Sequence, residues 1–128
     1  MILFTVLISI ASSIAEAYFD AKKKVINHSI SAFVRLTSAV GISYYLFFHP
    51  YYISLYSVIL LVIYTIVFDP FYNVFKGMKV WYIGNTAVTD KLARKYIGKD
   101  GFTYLVFKVV FLFACLFMFE IGYLFVGF

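Results

Sequence analysis

Apolar positions along the chain gather into four long runs, at about 1–18, 30–48, 51–75 and 102–128, parted by shorter polar stretches. The runs are continuous rather than alternating, which predicts helices and not strands. A helix rises about 1.5 Å per residue and needs roughly 20 apolar residues to cross a bilayer's hydrocarbon, so each run has or approaches the length of a span. Serines and Glu16 interrupt the first run, Arg35 lies in the second, Asp69 and Pro70 come near the end of the third, and the fourth holds Lys108 and Glu120. His49-Pro50 leaves so little chain between the second and third that they form an antiparallel hairpin. No internal repeat or Pro/Gly/Ser-rich linker divides the chain, so residues 1–128 read as a single domain. The first run ends in Ser-Ile-Ala-Glu-Ala, which looks somewhat like a signal cleavage site, but no basic residue precedes it and it is read as a span.

Composition narrows the class. The chain has 128 residues, of which 64% are apolar and 13% charged, against about 45–50% and about 25% in an ordinary soluble domain. Its mean hydropathy is +0.94. This excludes a disordered tail, a collagen-like chain and a disulfide scaffold. It also speaks against a water-soluble enzyme, since a body this small cannot hide so much apolar surface. Cys115 is the single cysteine and can form no internal bridge. Heavy use of Phe and Tyr with Ile and Lys suits an AT-rich genome and points to a bacterium or phage.

Charge then orients the spans. Lys22, Lys23 and Lys24 follow the first run, and Lys76, Lys79, Lys91, Arg94, Lys95 and Lys99 lie in the loop 76–101. The His49-Pro50 link and both termini carry no Lys or Arg. The positive-inside rule places the basic side in the cytoplasm and both termini on the non-cytoplasmic side. The fold expected is therefore an all-α membrane protein with four transmembrane helices and a basic amphipathic inner loop. The net charge of +5 becomes a local charge on one membrane face, where it attracts anionic lipid head groups. Nucleic acid is not an expected partner. Small residues four apart, Ser9/Ser13 and Ala11/Ala15 in the first span and Thr37/Gly41 and Ala39/Ser43 in the second, predict that the first two helices form the tight pair. The aromatic third and fourth spans are expected to face lipid or neighbours in an assembly.

The same orientation gathers polar side chains at the inner ends. Glu16 and Asp20 share a helix face at the end of the first span, and His28, Ser31 and Arg35 share one at the start of the second. Asn27 lies just ahead of that face. Asp69 and Asn73 lie four apart near the end of the third, and the loop adds Asn85, Thr86 and Asp90. Ionisable groups near hydrocarbon face a partner or a cavity, and three readings follow. In the structural reading Arg35 neutralises Asp69 or Glu16, and His28 bonds a carboxylate. In the catalytic reading a divalent metal is held by candidates Glu16, Asp20, His28, Asp69 and Asn73 at the head-group plane. It would polarise a lipid phosphate, with His28, Arg35 and Asp90 as catalytic candidates and His28 or a carboxylate as general base. The third reading is ion or proton conduction, although the belt covers one leaflet only. Lys108, about 9 Å into the fourth span, is expected to snorkel to the inner surface. Glu120 and His49 are expected to be solvated at the outer side.

In the loop, Gly77 is placed to end the third helix. Trp81 and Tyr82 suit a head-group anchor. Thr86 or Thr89 can cap a short helix running to about Tyr96. That helix sets Val88, Leu92 and Tyr96 beside Lys91, Arg94 and Lys95, as in an amphipathic helix lying on the inner surface. The stretch from Phe68 to Lys95 resembles a group of small uncharacterised bacterial and prophage polytopic membrane proteins. These carry Asp-x-x-x-Asn ahead of a Tyr-x-Gly-Asn-Thr turn and a following Asp, matched here by Asp69, Asn73, Gly77, Tyr82, Gly84, Asn85, Thr86 and Asp90. The resemblance implies that these polar residues act together and implies no activity. The run Asn85-Thr86-Ala87-Val88 is also similar to part of a run in bacterial diacylglycerol and undecaprenol kinases. Here it lies in a basic loop without the flanking glutamates, and the kinase reading is rejected. The function expected is a non-enzymatic component of a membrane assembly, with protein partners or further copies of the chain, in a bacterial inner membrane or virion membrane. The alternatives are a metal-dependent enzyme acting on a phosphorylated lipid head group and a holin-like pore.

Overall fold

The computed structural model describes residues 1–23, 28–83 and 88–126, and the helical share is 85% with no strand among them. Among the described residues five helices follow one another: α1 (Ile2–Lys22), α2 (His28–Leu46), α3 (Pro50–Phe75), α4 (Val88–Tyr96) and α5 (Gly101–Val126). Three of them, α1, α3 and α5, are long and apolar enough to cross a membrane, and α2 carries a shorter apolar stretch, Ile30–Leu46. This is the pattern of a multi-pass membrane protein. The expectations on Lys24, Asn27, Asn85 and Thr86, and on the side chains of His28 and Thr89, lie outside the described residues.

Local chemistry sets the helix ends. Pro50 occupies the first turn of α3, and the His49 side chain caps it, Nδ1 accepting from the Tyr51 amide at 3.3 Å. His49 thus has a capping role beyond the solvated turn expected of it. Gly77, at φ +73°, ends α3. The Met78 amide reaches back to the Asn73 carbonyl at 2.8 Å and that of Gly77 to Val74 at 3.0 Å, satisfying carbonyls that have no further turn to bond.

The central helix is α3, which packs against α1, α2 and α5. In its most apolar stretch 33% of residues are buried, against 11% in α1 and 6% in α5. The expected tight pairing of α1 with α2 is corrected on this point. Ala39 and Ser43 do form a close-packed face, but its partner is α3, where the Ser57 hydroxyl donates to Ser43 Oγ at 2.9 Å. On α1 the covered face is Ser13, Ala17 and Asp20, whereas Ala11 and Ala15 are exposed. Close backbone approach needs small residues on only one partner, and α3 supplies the large ones: Tyr52, Tyr56, Leu60 and Tyr64. The aromatic α3 is therefore interior, contrary to expectation, and α5 is the helix with large exposed aromatic faces.

Contacts fix the directions. Thr5 Oγ1 and the Tyr56 hydroxyl lie 2.7 Å apart near the starts of α1 and α3, and Tyr18 meets Phe75 edge-on near their ends. The two helices run parallel. Phe47 packs on Tyr52 while Arg35 lies over Tyr64 and Phe68, so α2 runs antiparallel to α3, as the short link requires. Phe119 packs on Tyr52 at one end of α5 and Lys108 meets Asp69 nearer the other, so α5 is antiparallel to α3 too. The buried residues of α5 are Gly101, Lys108, Cys115 and Gly122, one every seven positions, with half-buried Leu105, Leu112 and Phe119 between them. That heptad stripe is the narrow seam of a helix crossing its neighbour at a shallow angle.

Candidate functional site

Several of the polar groups expected at the inner ends come together in two clusters on different sides of α3. The first joins α1, α2 and α3. Glu16 Oε1 accepts from Ser31 Oγ at 2.5 Å and from Arg35 Nη2 and Nε at 2.7 and 3.1 Å. Its other oxygen, Oε2, accepts from the Tyr64 hydroxyl. One carboxylate of α1 thus binds groups from two further helices, α2 and α3. The Arg35 guanidinium lies over two rings of α3, its carbon 4.5 Å from the Tyr64 ring centre and 4.4 Å from that of Phe68. Its Nη2 is also 4.0 Å from Asp20 Oδ2. Asp20, almost wholly covered, accepts from Lys23 Nζ at 2.6 Å. Two carboxylates and two cations balance, which is what an ion cluster near hydrocarbon requires.

The stacking has a sequence cause. Tyr64, Phe68 and Tyr72 stand four apart and stack with ring centres 5.6 Å apart at each step. They build a continuous π-face on which a planar cation rests, and for this Arg serves better than Lys.

The second cluster joins α3 to α5. Lys108 Nζ donates to Asp69 and lies 4.2 Å from the Tyr104 ring centre. Asp69 follows Phe68 by one residue, so a turn of about 100° sends it away from Arg35 toward α5. The structural reading's choice between Asp69 and Glu16 as the partner of Arg35 thus resolves to Glu16. Lys108 is turned inward and nearly covered rather than snorkelling outward, because Asp69 offers it an opposite charge at its own depth.

Asn73, a metal candidate by sequence, is buried and donates both amide hydrogens, to the Val80 and Tyr82 carbonyls at 2.8 Å each. It closes the strap after α3 through these two bonds. Asp90 is half-buried on α4, in the first turn of that helix. Next to it Arg94 donates to the Ile83 carbonyl. Glu16 and Asp20 are brought together, whereas Asp69 and Asn73 serve other contacts. Among the described residues no three His, Cys, Asp or Glu side chains form a metal-sized group. Sequence reasoning missed Tyr64 as a partner of Glu16 and Lys108 as that of Asp69. For Lys108 the signal was there: it lies on the seven-residue row of Gly101, Cys115 and Gly122.

A hollow lies at the other end of α3. It is apolar, about 410 Å³, and lined by Pro50, Tyr51, Ser54, Leu55 and Val58. No protein-family model matches the chain, and comparison with curated proteins and with solved structures finds no match.

Proposed function

We propose that the chain is a non-enzymatic, four-span component of a membrane assembly in a bacterial inner membrane or virion membrane, of phage or prophage origin. The observation that carries this reading is the mutual engagement of the ionisable groups: Glu16 with Arg35, Asp20 with Lys23, and Asp69 with Lys108. The Glu16–Arg35 and Asp69–Lys108 pairs serve as joints between helices, and Asp20 is engaged at the end of its own helix, so these carboxylates are occupied rather than open ligands. The parallel run of α1 and α3 supports a fourth crossing. If both cross the bilayer side by side, the chain must return between them, and α2 is the helix available. Its 19 residues reach about 28 Å, close to the hydrocarbon thickness, and its one internal charge meets Glu16. The basic segments then lie on the cytoplasmic side and both termini on the other. Exposed Phe107, Phe113, Phe117 and Phe125 on α5 suit contact with lipid and with neighbouring chains.

Four experiments test the reading. In native membranes, a photo-cross-linker placed at Phe113 or Phe117 should give discrete higher-mass species. Purified protein with acidic phospholipid and Mg²⁺, Mn²⁺ or Zn²⁺ should release no phosphate. Metal-dependent phosphate release that Glu16→Gln abolishes would replace this reading with the lipid-phosphate enzyme, and dye leakage from vesicles would replace it with a pore. For topology, Lys79→Cys in a Cys115→Ser background should react with an impermeant maleimide only after the cytoplasmic face is opened.

A further inference from the structure

We infer that α4 docks on a lipid surface bearing acidic head groups, through an apolar stripe of Leu92 and Tyr96 edged by Lys91, Lys95 and Lys99. The inference rests on the membrane reading above, since it needs α4 to lie beside a bilayer. Its observation is the way round in which α4 sits. Leu92 and Tyr96 are one turn apart on one side of the helix, and they are 50% and 74% exposed. The side turned to the protein carries buried Ala93 and half-buried Arg94. Arg94 holds the Ile83 carbonyl and lies 5.8 Å from the Tyr82 ring centre. A surface helix in water turns its apolar stripe inward. This one turns Ala93, the Arg94 latch and the half-buried Ile97 just past its end inward, and Leu92 and Tyr96 outward, an arrangement favoured where the outer medium is itself apolar.

Position agrees. Trp81 packs edge-on against Phe102 in the first turn of α5, with ring centres 5.7 Å apart, so the strap lies where α5 enters the bundle. Val80, Trp81 and Tyr82 are exposed beside it, as interfacial anchors are. Charge names the lipid. Lys91, Lys95 and Lys99 are exposed and form no ion pair among the described residues, and Lys79 is exposed on the same segment. The acidic residues nearby are otherwise placed: Asp90 is half-buried on the same helix, and Asp100 caps α5. Cations flanking a shallow apolar stripe complement acidic head groups.

The test uses the full chain in vesicles whose acyl chains carry bromine, with Trp81→Phe so that Tyr96→Trp supplies the only indole. In phosphatidylglycerol-containing vesicles its emission should be blue-shifted and quenched. Lys91→Gln/Lys95→Gln/Lys99→Gln, or about 1 M salt, where screening acts within about 3 Å, should reverse most of that. Vesicles of phosphatidylcholine alone should give a weaker shift that the triple variant leaves unchanged. Water-like, unquenched emission in both lipids overturns the docking, and equal quenching in both overturns the acidic preference. Protease protection of α1, α3 and α5 is read in parallel. Unprotected spans would overturn the membrane reading, whereas protected spans with a water-like indole overturn this inference alone.

Discussion

The two ends of the helix bundle are held together by different forces. Where α3 begins, Phe47, Tyr52, Tyr56 and Phe119 form a ring cluster with centres 5.2 to 6.1 Å apart. Polar bonds between helices at that end join hydroxyls to one another, as Thr5 with Tyr56 and Ser57 with Ser43, or to backbone carbonyls, as Tyr51 with Met118. Toward the end of α3 the joints are ionic. Burial follows the same division. Tyr52 is fully covered and Phe47 nearly so, whereas the side chains of Glu16 and Arg35 stay 30% and 21% exposed. Charges cost least where water and lipid heads are near, and rings need neither. The ionic end is therefore directional and intolerant of losing one partner, while the aromatic end is a packing problem that yields by degrees.

The largest effect expected from a single substitution follows from that contrast. Arg35→Ala leaves Glu16 and Asp20 facing each other's neighbourhood without the guanidinium. Loss of one partner from a buried pair costs about 3–5 kcal/mol, and the partial exposure here places the effect at the low end, about 3 kcal/mol. Arg35→Met with Glu16→Gln removes both charges and should cost clearly less. Reversible unfolding in mixed micelles measures both. Should the single variant lose no more than the double, the ionic end is held by packing and the contrast fails.

At the aromatic end Phe47→Ala removes the ring that touches Tyr52, Tyr56 and Phe119. In a water-soluble core such a truncation costs about 3–5 kcal/mol. Lipid already solvates apolar groups, so what is lost here is mainly dispersion and close packing. About 2 kcal/mol is expected in the same assay. A loss larger than that of Arg35→Ala would reverse the order of the two ends.

Much of this contrast can be read from the sequence, and the unread part has physical causes. Helix identity and extent follow from the continuous apolar runs. The antiparallel turn at His49-Pro50, the stop at Gly77 and the end of α4 at Tyr96 follow from local backbone chemistry. The convergence of Glu16, Asp20, Ser31 and Arg35 follows from helical spacing. Partner choice does not, because it depends on rotation about each helix axis. In a helix apolar all round, periodicity carries little information about that rotation. Hence α3 was not recognisable as the centre, and Asp69 could not be assigned to Lys108 rather than to Arg35.

The seam between α3 and α5 sharpens the comparison, because it passes from one end to the other. At the ring end, a Cβ on Gly122 would lie 2.5 Å from Tyr51 Cε1. Gly122→Val therefore pushes that ring, whose hydroxyl now donates to the Met118 carbonyl at 3.0 Å. Overpacking of this kind costs about 1–3 kcal/mol, and the low part of the range fits a ring that can swing outward. A cross-link between cysteines at Lys108 and Asp69 should form as readily as before in this variant, since the ionic end of the seam is remote. If that cross-link is lost, the two ends of the seam are not independent.

The smallest effect lies outside the spans, at the start of α5. Asp100 accepts from Thr103 Oγ1 at 2.8 Å and from the Phe102 and Thr103 amides at 3.1 and 3.3 Å. The Thr103 hydroxyl first, then the Phe102 amide, hold its carboxyl below the ordinary value of 3.8, as expected for a carboxylate at a helix N-terminus. The folded value is the lower one, so the stabilisation is fully present above about pH 3.8 and is lost as pH falls through the depressed value. Hydrogen exchange at the Phe102 and Thr103 amides, corrected for intrinsic rate, should lose protection on acidification below that point. Asp100→Asn should keep the cap and flatten the pH dependence, and Asp100→Ala should lower protection at every pH. The group is fully exposed and its charge screened, so neither change should move the unfolding of the ring cluster or of the Glu16–Arg35 joint. A shift there would mean that the entry of α5 is coupled to both ends of the bundle, and that treating them separately is wrong.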